Sequence, residues 1–128
     1  MAAPCSKYLL AASLTNDMVE RMKFVMTASI CYIHPCHHWG KPLNPILGET
    51  YQAEVSDGSK VYVEQICHHP PISFMIQEGP DSLYRFSGYS TFGVRAFLNS
   101  VALDVGGQKK VTFPDGTEIT YSNLSDTF

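Results

Sequence analysis

The stretch Val61-Tyr62-Val63-Glu64-Gln65-Ile66-Cys67-His68-His69-Pro70-Pro71 decides how this sequence folds. Val61, Val63 and Gln65 alternate with Tyr62, Glu64 and Ile66, which is the period-2 pattern of a β-strand. The two prolines end it, because proline lacks a ladder donor and fixes its own φ. The imidazoles of His68 and His69 therefore emerge where the chain stiffens. Adjacent side chains on an extended strand point to opposite faces, so a bend at Pro70 is needed to aim both rings at one ligand. Each imidazole can donate hydrogen bonds and can be cationic near neutral pH, which suits a phosphate group. Two ordinary turn histidines would give the same pattern.

Upstream, Tyr51, Ala53 and Val55 alternate with polar residues, and Asp57-Gly58 is a hairpin turn signal leading back into Val61. Downstream, Ile72 to Ile76 is a short apolar run ended by Gly79-Pro80. Leu83 to Phe97 is aromatic-rich, and Val101 to Val105 runs into Gly106-Gly107. Val111 to Phe113 and Ile119 to Tyr121 flank Asp115-Gly116. Short strands with tight turns predict an antiparallel meander. The chain stops at Phe128 directly after a strand, so the last strand is expected to leave an open sheet edge, as in part of something longer.

The first 40 residues read differently. From Asp17 the pattern is helical: Met18, Met22, Met26 and Ile30 recur every four residues, with Val25 beside them. That stripe is expected to pack in the core. Asp17 and Glu20 resemble a capping pair, and His34 before Pro35 marks the latest end of the helix. Tyr8 to Leu14 is too short to assign. The fold class is α+β, mainly β: an N-terminal helical segment over 1–40, then an antiparallel meander over 41–128.

The 128 residues, 14.2 kDa, have room for one domain with a real core. With 45% hydrophobic and 16% charged residues, the chain is not a disordered tail. The formal charge of -3 lacks the basic excess of a nucleic-acid binder, so no nucleic-acid partner is expected. No apolar run reaches the ~20 residues of a membrane-spanning helix, and no basic cluster precedes Tyr8 to Leu14 as in a signal peptide. Cys5, Cys31, Cys36 and Cys67 are read as free thiols of a reducing compartment.

A second stretch is Lys41-Pro42-Leu43-Asn44-Pro45-Ile46-Leu47-Gly48-Glu49, a preset loop carrying one cation and one amide. Lysine is a good point-charge partner for phosphate. Taken alone, it reads as a structural loop with a solvated lysine.

Together the two stretches resemble the oxysterol-binding-protein-related (OSBP/ORP/Osh) lipid-transfer family. The family fingerprint is Glu-Gln-Val-Ser-His-His-Pro-Pro, and here Glu64 to Pro71 match it with Ile66 for Val and Cys67 for Ser. The upstream Lys-Pro-x-Asn-Pro-x-x-Gly-Glu motif is matched from Lys41 to Glu49, and Thr50-Tyr51 continue it. Glu20-Arg21-Met22 and Phe86-Ser87-Gly88-Tyr89 also sit where the family has similar residues. The resemblance covers at least Asp17 to Tyr121.

It implies a lipid-binding β-barrel, of which 41–128 would be the first strands and this chain an incomplete fragment. It implies non-vesicular transfer of sterol or phospholipid in exchange for phosphatidylinositol 4-phosphate. The headgroup-binding residues it implies are Lys41, His68 and His69 on the phosphate and Asn44 beside it. The implied partners are that phosphoinositide, a sterol or phosphatidylserine, and a membrane contacted peripherally from the cytoplasm. No cofactor is expected. Cys67 exchanges a hydroxyl for a weakly hydrogen-bonding thiol and should be tolerated. The rival reading is a transfer-inactive fragment that self-associates, or binds another protein, through its open sheet edge.

Two further patterns compete with this reading. Cys31-x-x-His34-x-Cys36-His37-His38 offers Cys31, His34, Cys36 and His38 as zinc ligands, but adjacent residues rarely converge on one tetrahedral ion. Cys67 beside His68 suggests a thiol and base, yet neighbours on a strand diverge, and no phosphate-loop or nucleophile-elbow motif is present. The chain is therefore not read as an enzyme.

Overall fold

A computed structural model describes residues 3–31, 45–98 and 100–122. Among the described residues two α-helices, α1 (Ala3–Leu14) and α2 (Met18–Cys31), precede seven strands. These are β1 (Thr50–Glu54), β2 (Lys60–Cys67), β3 (Ile72–Glu78), β4 (Arg85–Phe97), β5 (Ser100–Gly106), β6 (Gln108–Thr112) and β7 (Glu118–Ser122).

The segment around Tyr8 to Leu14 is helical, part of an Ala- and Leu-rich run with Pro4 in its first turn, where the missing N–H does no harm. Helix α2 is capped by Asp17, whose Oδ1 accepts from the backbone N–H of Val19 at 2.8 Å. Glu20 pairs with Lys23 at 2.6 Å one turn on. The two helices lie together over one face of the sheet.

All strand pairs are antiparallel, in the order β1-β2-β3-β4-β6-β7, with β5 also on β4. Among the described residues the sheet does not close on itself, and β1, β5 and β7 each pair on one side only. One cross-strand row reads Ala53, Val61, Gln77, Phe86, Val111, Ile119. Phe86, Val111 and Ile119 pack with Tyr84 and Phe113 against Leu9, Ala12, Val25 and Ala28 of the helices, which fixes the helix-side face. Along another row, the opposite face carries Glu54, Lys60, Glu78, Arg85, Thr112 and Glu118. Cross-strand neighbours of opposite charge stabilise that solvated face.

Two expectations need correction. The methionine stripe of α2 is not core: Met18, Met22, Met26 and Ile30 are 55%, 44%, 55% and 58% exposed. The buried face is Arg21, Val25 and Ala28 instead. Arg21 sets this rotation. Its Nε and Nη2 donate to the carbonyls of Ala12 (3.1 Å) and Thr15 (2.7 Å). Its Nη1 reaches Asp115 and Thr117, and its guanidinium lies 4.8 Å from the Phe113 ring centroid. A guanidinium so fully hydrogen-bonded, stacked on an aromatic face, can occupy the core where a bare charge could not.

The second correction is Gly106-Gly107, which does not turn the chain. β5 and β6 run on in one direction along β4, and the register carries through: Thr91 faces Gly106 and Gly88 faces Lys109. Residue 107 has φ +122, and a Cβ there would sit 2.1 Å from the Tyr89 carbonyl oxygen. Only glycine fits so close an approach of two backbones.

Candidate functional site

The site forms where β2 ends. The pairing of β2 with β3 shifts by one residue between Gln65 and Cys67, leaving Ile66 as a bulge. Bulges of this kind re-aim the side chains that follow. The His69–Pro70 peptide is cis. The rings of His68 and His69 meet edge to face, with centroids 4.5 Å apart. The bend expected at Pro70 thus brings the two imidazoles side by side. His69 is exposed and His68 half-buried. His68 Nδ1 is itself buried and has no hydrogen-bond partner among the described residues. An unpaired buried nitrogen costs roughly 1–3 kcal/mol, which a ligand oxygen would offset.

Gln65 organises the ground beneath the pair. Its buried side chain donates from Nε2 to the Cys67 carbonyl at 2.9 Å, and Ser73 Oγ donates to its Oε1 at 2.5 Å. Its backbone receives the other motif. Gly48 N–H donates to the Gln65 carbonyl at 2.8 Å, and Gln65 N–H donates to the Glu49 carbonyl at 3.1 Å. Gly48 has φ +79, closing a tight turn in which Glu49 N–H donates to the Ile46 carbonyl. The end of the proline-rich loop is thereby zipped onto the strand that carries the histidines. Lys41 and Asn44 lie outside the described residues.

Beside this junction, a shallow cavity of about 200 Å³ crosses β1 to β3, lined by Tyr51, Tyr62, Glu64, Phe74 and Ile76 among others. Cys67 is a half-buried free thiol next to the imidazoles. Cys31 is a free thiol at the end of α2, while His34, Cys36 and His38 lie outside the described residues. Among the described residues, no cluster of three metal-ligating side chains occurs, and no helix is long and apolar enough to cross a membrane.

One residue of this region went unread in the sequence. Lys109 is only 7% exposed and lies on the helix-side face. Its Nζ donates to the Tyr89 carbonyl and to Ser90 Oγ, both at 2.8 Å. Burial pulls its pKa down from 10.5 to about 8. A signal was present: Lys109 shares strand parity with the core residue Val111, whereas Lys110 has the opposite parity and pairs with Glu118 at 2.6 Å.

Helices on one face of an unclosed antiparallel sheet, with two motifs joined at one strand end, define the class as a partial β-barrel domain with a helical layer. A sequence model described as "Oxysterol-binding protein" matches residues 4–127. The chain belongs to the oxysterol-binding protein family. It is 38% identical over 115 residues to oxysterol-binding protein 9 of Dictyostelium discoideum, covering 90% of this chain and 27% of that protein. Against human oxysterol-binding protein-related protein 1 it is 41% identical over 81 residues, 60% of this chain and 8% of that one. Among solved structures, the Osh1 ORD domain in complex with cholesterol matches with a TM-score of 0.80 at 26% identity, covering 94% of this chain and 30% of that one. The Osh3 ORD of Saccharomyces cerevisiae, solved with PI(4)P, shares the fold with a TM-score of 0.76 at 23% identity, covering 91% and 32%. The chain thus spans under a third of each of these proteins.

Proposed function

We propose that the chain binds lipid and serves non-vesicular transfer of sterol or phospholipid in exchange for phosphatidylinositol 4-phosphate. His68, His69 and Lys41 would hold the inositol phosphate, with Asn44 beside it. The observation that carries this reading is the histidine pair itself: two adjoining rings at a bulged strand end, one with a buried, unpartnered nitrogen. Charge-assisted bonds to a phosphate are worth roughly 1.5–3 kcal/mol each, so a few such donors can fix a headgroup. The apolar body would be removed from water at ~0.8 kcal/mol per CH₂. The likeness to a cholesterol-bound domain at 26% identity supports a sterol as the exchanged cargo. Membrane contact would be peripheral and cytoplasmic.

The test is extraction of phosphatidylinositol 4-phosphate from liposomes by the 128-residue chain, with the His68→Ala/His69→Ala variant alongside. Extraction by the parent and not by the variant is expected. Equal extraction by both overturns the headgroup assignment.

A second reading rests on the outer strands β1, β5 and β7, which among the described residues pair on one side only. Their free backbone groups can pair with another copy. A mass that rises with concentration in light scattering supports association through these edges, and a constant monomer mass overturns it.

A further inference from the structure

The two ends of the sheet differ in chemistry. One end is marked by the row Glu54, Lys60, Glu78, Arg85, Thr112 and Glu118. Beyond that row lie three connections, and each holds an aspartate: Asp57, Asp81 and Asp115. The carboxylates of this end outnumber its cations, which are Lys60, Arg85 and the paired Arg21 and Lys110.

The histidine end is built differently. Its exposed side chains include Ile46 and Leu47 of the tight turn before β1, Ile66 of the bulge and Phe92 of β4. Phe92 N–H donates to the Pro71 carbonyl at 3.2 Å, so β4 leaves the sheet directly beside the histidine turn. Past that bond, among the described residues, β4 pairs only with β5, as a two-stranded hairpin. From Phe92 to Leu98, at ~3.3 Å per residue, the hairpin extends about 20 Å. Leu98 sits at its tip and is wholly exposed. From Phe92 to Leu103 the sequence carries a single charged residue, the exposed Arg95. Strands that end in water are ordinarily blunted by several charges or by proline, and this hairpin has no carboxylate and no proline over that stretch.

The position of Leu98 selects the occupant. Another strand, from this chain or a second copy, would cover a hairpin along its edges and leave the turn residue open. Burying Leu98 takes a medium that the tip enters end-on. A bilayer supplies one: hydrocarbon for the leucine, an anionic headgroup layer for Arg95 behind it, and repulsion that keeps the acidic end farthest away.

We propose that the β4–β5 hairpin is a membrane wedge: Leu98 enters the bilayer, and Ile46, Leu47, Ile66 and Phe92 rest on its surface around the histidine turn. The wedge rests on the lipid-transfer reading for its purpose, and names the surface that delivers the histidines to the membrane.

The test uses vesicles of phosphatidylcholine and phosphatidylglycerol, which hold neither phosphoinositide nor sterol. Flotation of the 128-residue chain with these vesicles is compared for the parent and Leu98→Asp. The parent should float, and Leu98→Asp should bind about ten- to a hundredfold more weakly, the span of burying one leucine side chain. Leu98→Trp and Lys60→Trp place a reporter at each end, so the wedge is read even if Leu98→Asp unfolds. On adding vesicles, the emission gained over the parent should move to shorter wavelength for Leu98→Trp and stay in place for Lys60→Trp. A parent that does not float, a folded Leu98→Asp that floats like the parent, or a Leu98→Trp emission that does not move each overturns the wedge. Binding of water-soluble dioctanoyl phosphatidylinositol 4-phosphate by the same preparations reads the headgroup site without a bilayer. Its absence beside a shifted Leu98→Trp emission sinks the headgroup reading alone, and its presence without that shift sinks the wedge alone.

Discussion

Arg21 Nη1 on α2 lies 2.5 Å from Asp115 Oδ2 in the turn between β6 and β7, a contact spanning 94 residues of sequence. It ties the helical layer to the far side of the sheet and decides which face of α2 is buried. Arg21→Met should therefore destabilise the fold by about 2–4 kcal/mol in urea unfolding, since it strips five hydrogen bonds and leaves buried carbonyls unpaired. Asp115→Asn should cost less, because that carboxylate is half exposed. A neutral Arg21→Met would show that packing alone sets the rotation.

The same contact predicts acid sensitivity. The Thr117 backbone N–H, followed by the Arg21 guanidinium, holds the Asp115 carboxyl down at about 2. A carboxyl depressed in the fold contributes stability above its unfolded pKa of about 3.9 and loses it as the pH falls towards 2. Urea midpoints measured across pH 5 to about 2 should fall less steeply in Asp115→Asn than in the parent.

Lys109 predicts an alkaline effect of the same sign, at the other end of the pH range. Its pKa is about 8 in the fold and 10.5 ordinarily, so the unfolded chain binds more protons between those values. Stability should rise with pH across that window as the buried ammonium sheds its charge. The rise should be missing from Lys109→Met, and a parent-like rise in that variant would contradict the assignment.

On α2, Met22→Gln and Met26→Gln should shift stability by no more than about 0.5 kcal/mol, because both side chains face solvent. Val25→Ala should cost about 2 kcal/mol, because it opens a space between the helices and the Phe86 layer. Thermal unfolding of the three variants tests this directly. The reverse order would put the methionines in the core.

Gly107→Ala should cost about 2–3 kcal/mol or more, with the new Cβ pressed on the Tyr89 carbonyl. Gly116→Ala, at φ +84 in open space, should cost only about 1 kcal/mol. Chemical denaturation of both variants separates backbone strain from steric exclusion.

The strands were largely legible because a period of two, punctuated by Asp57-Gly58, Gly79-Pro80 and Asp115-Gly116, has few competing readings. The Glu64 to Pro71 motif was legible for the same local reason. Helix α2 was misread because apolar residues occupy two of its faces, and period alone does not say which one meets the sheet. Val25 and Ala28 are small, so the larger methionines dominate the pattern, and the deciding partner, Asp115, is distant in sequence. Gly106-Gly107 was misread because a glycine pair signals a turn and a close backbone crossing equally well. Lys109 went unread because a lysine doublet looks solvated until the parity of Val111 is applied to it. Lys41 and Asn44 lie outside the described residues, so their half of the motif stands on sequence alone.

The unbroken register along β4 has a mechanical consequence. Sliding β5 and β6 past β4 by one residue would turn every side chain to the wrong face, so shear between these strands is closed off. Gly107, with its backbone pressed on the Tyr89 carbonyl, pins the junction of β5 and β6 to the middle of β4, so the two strands answer to load as one continuous ribbon.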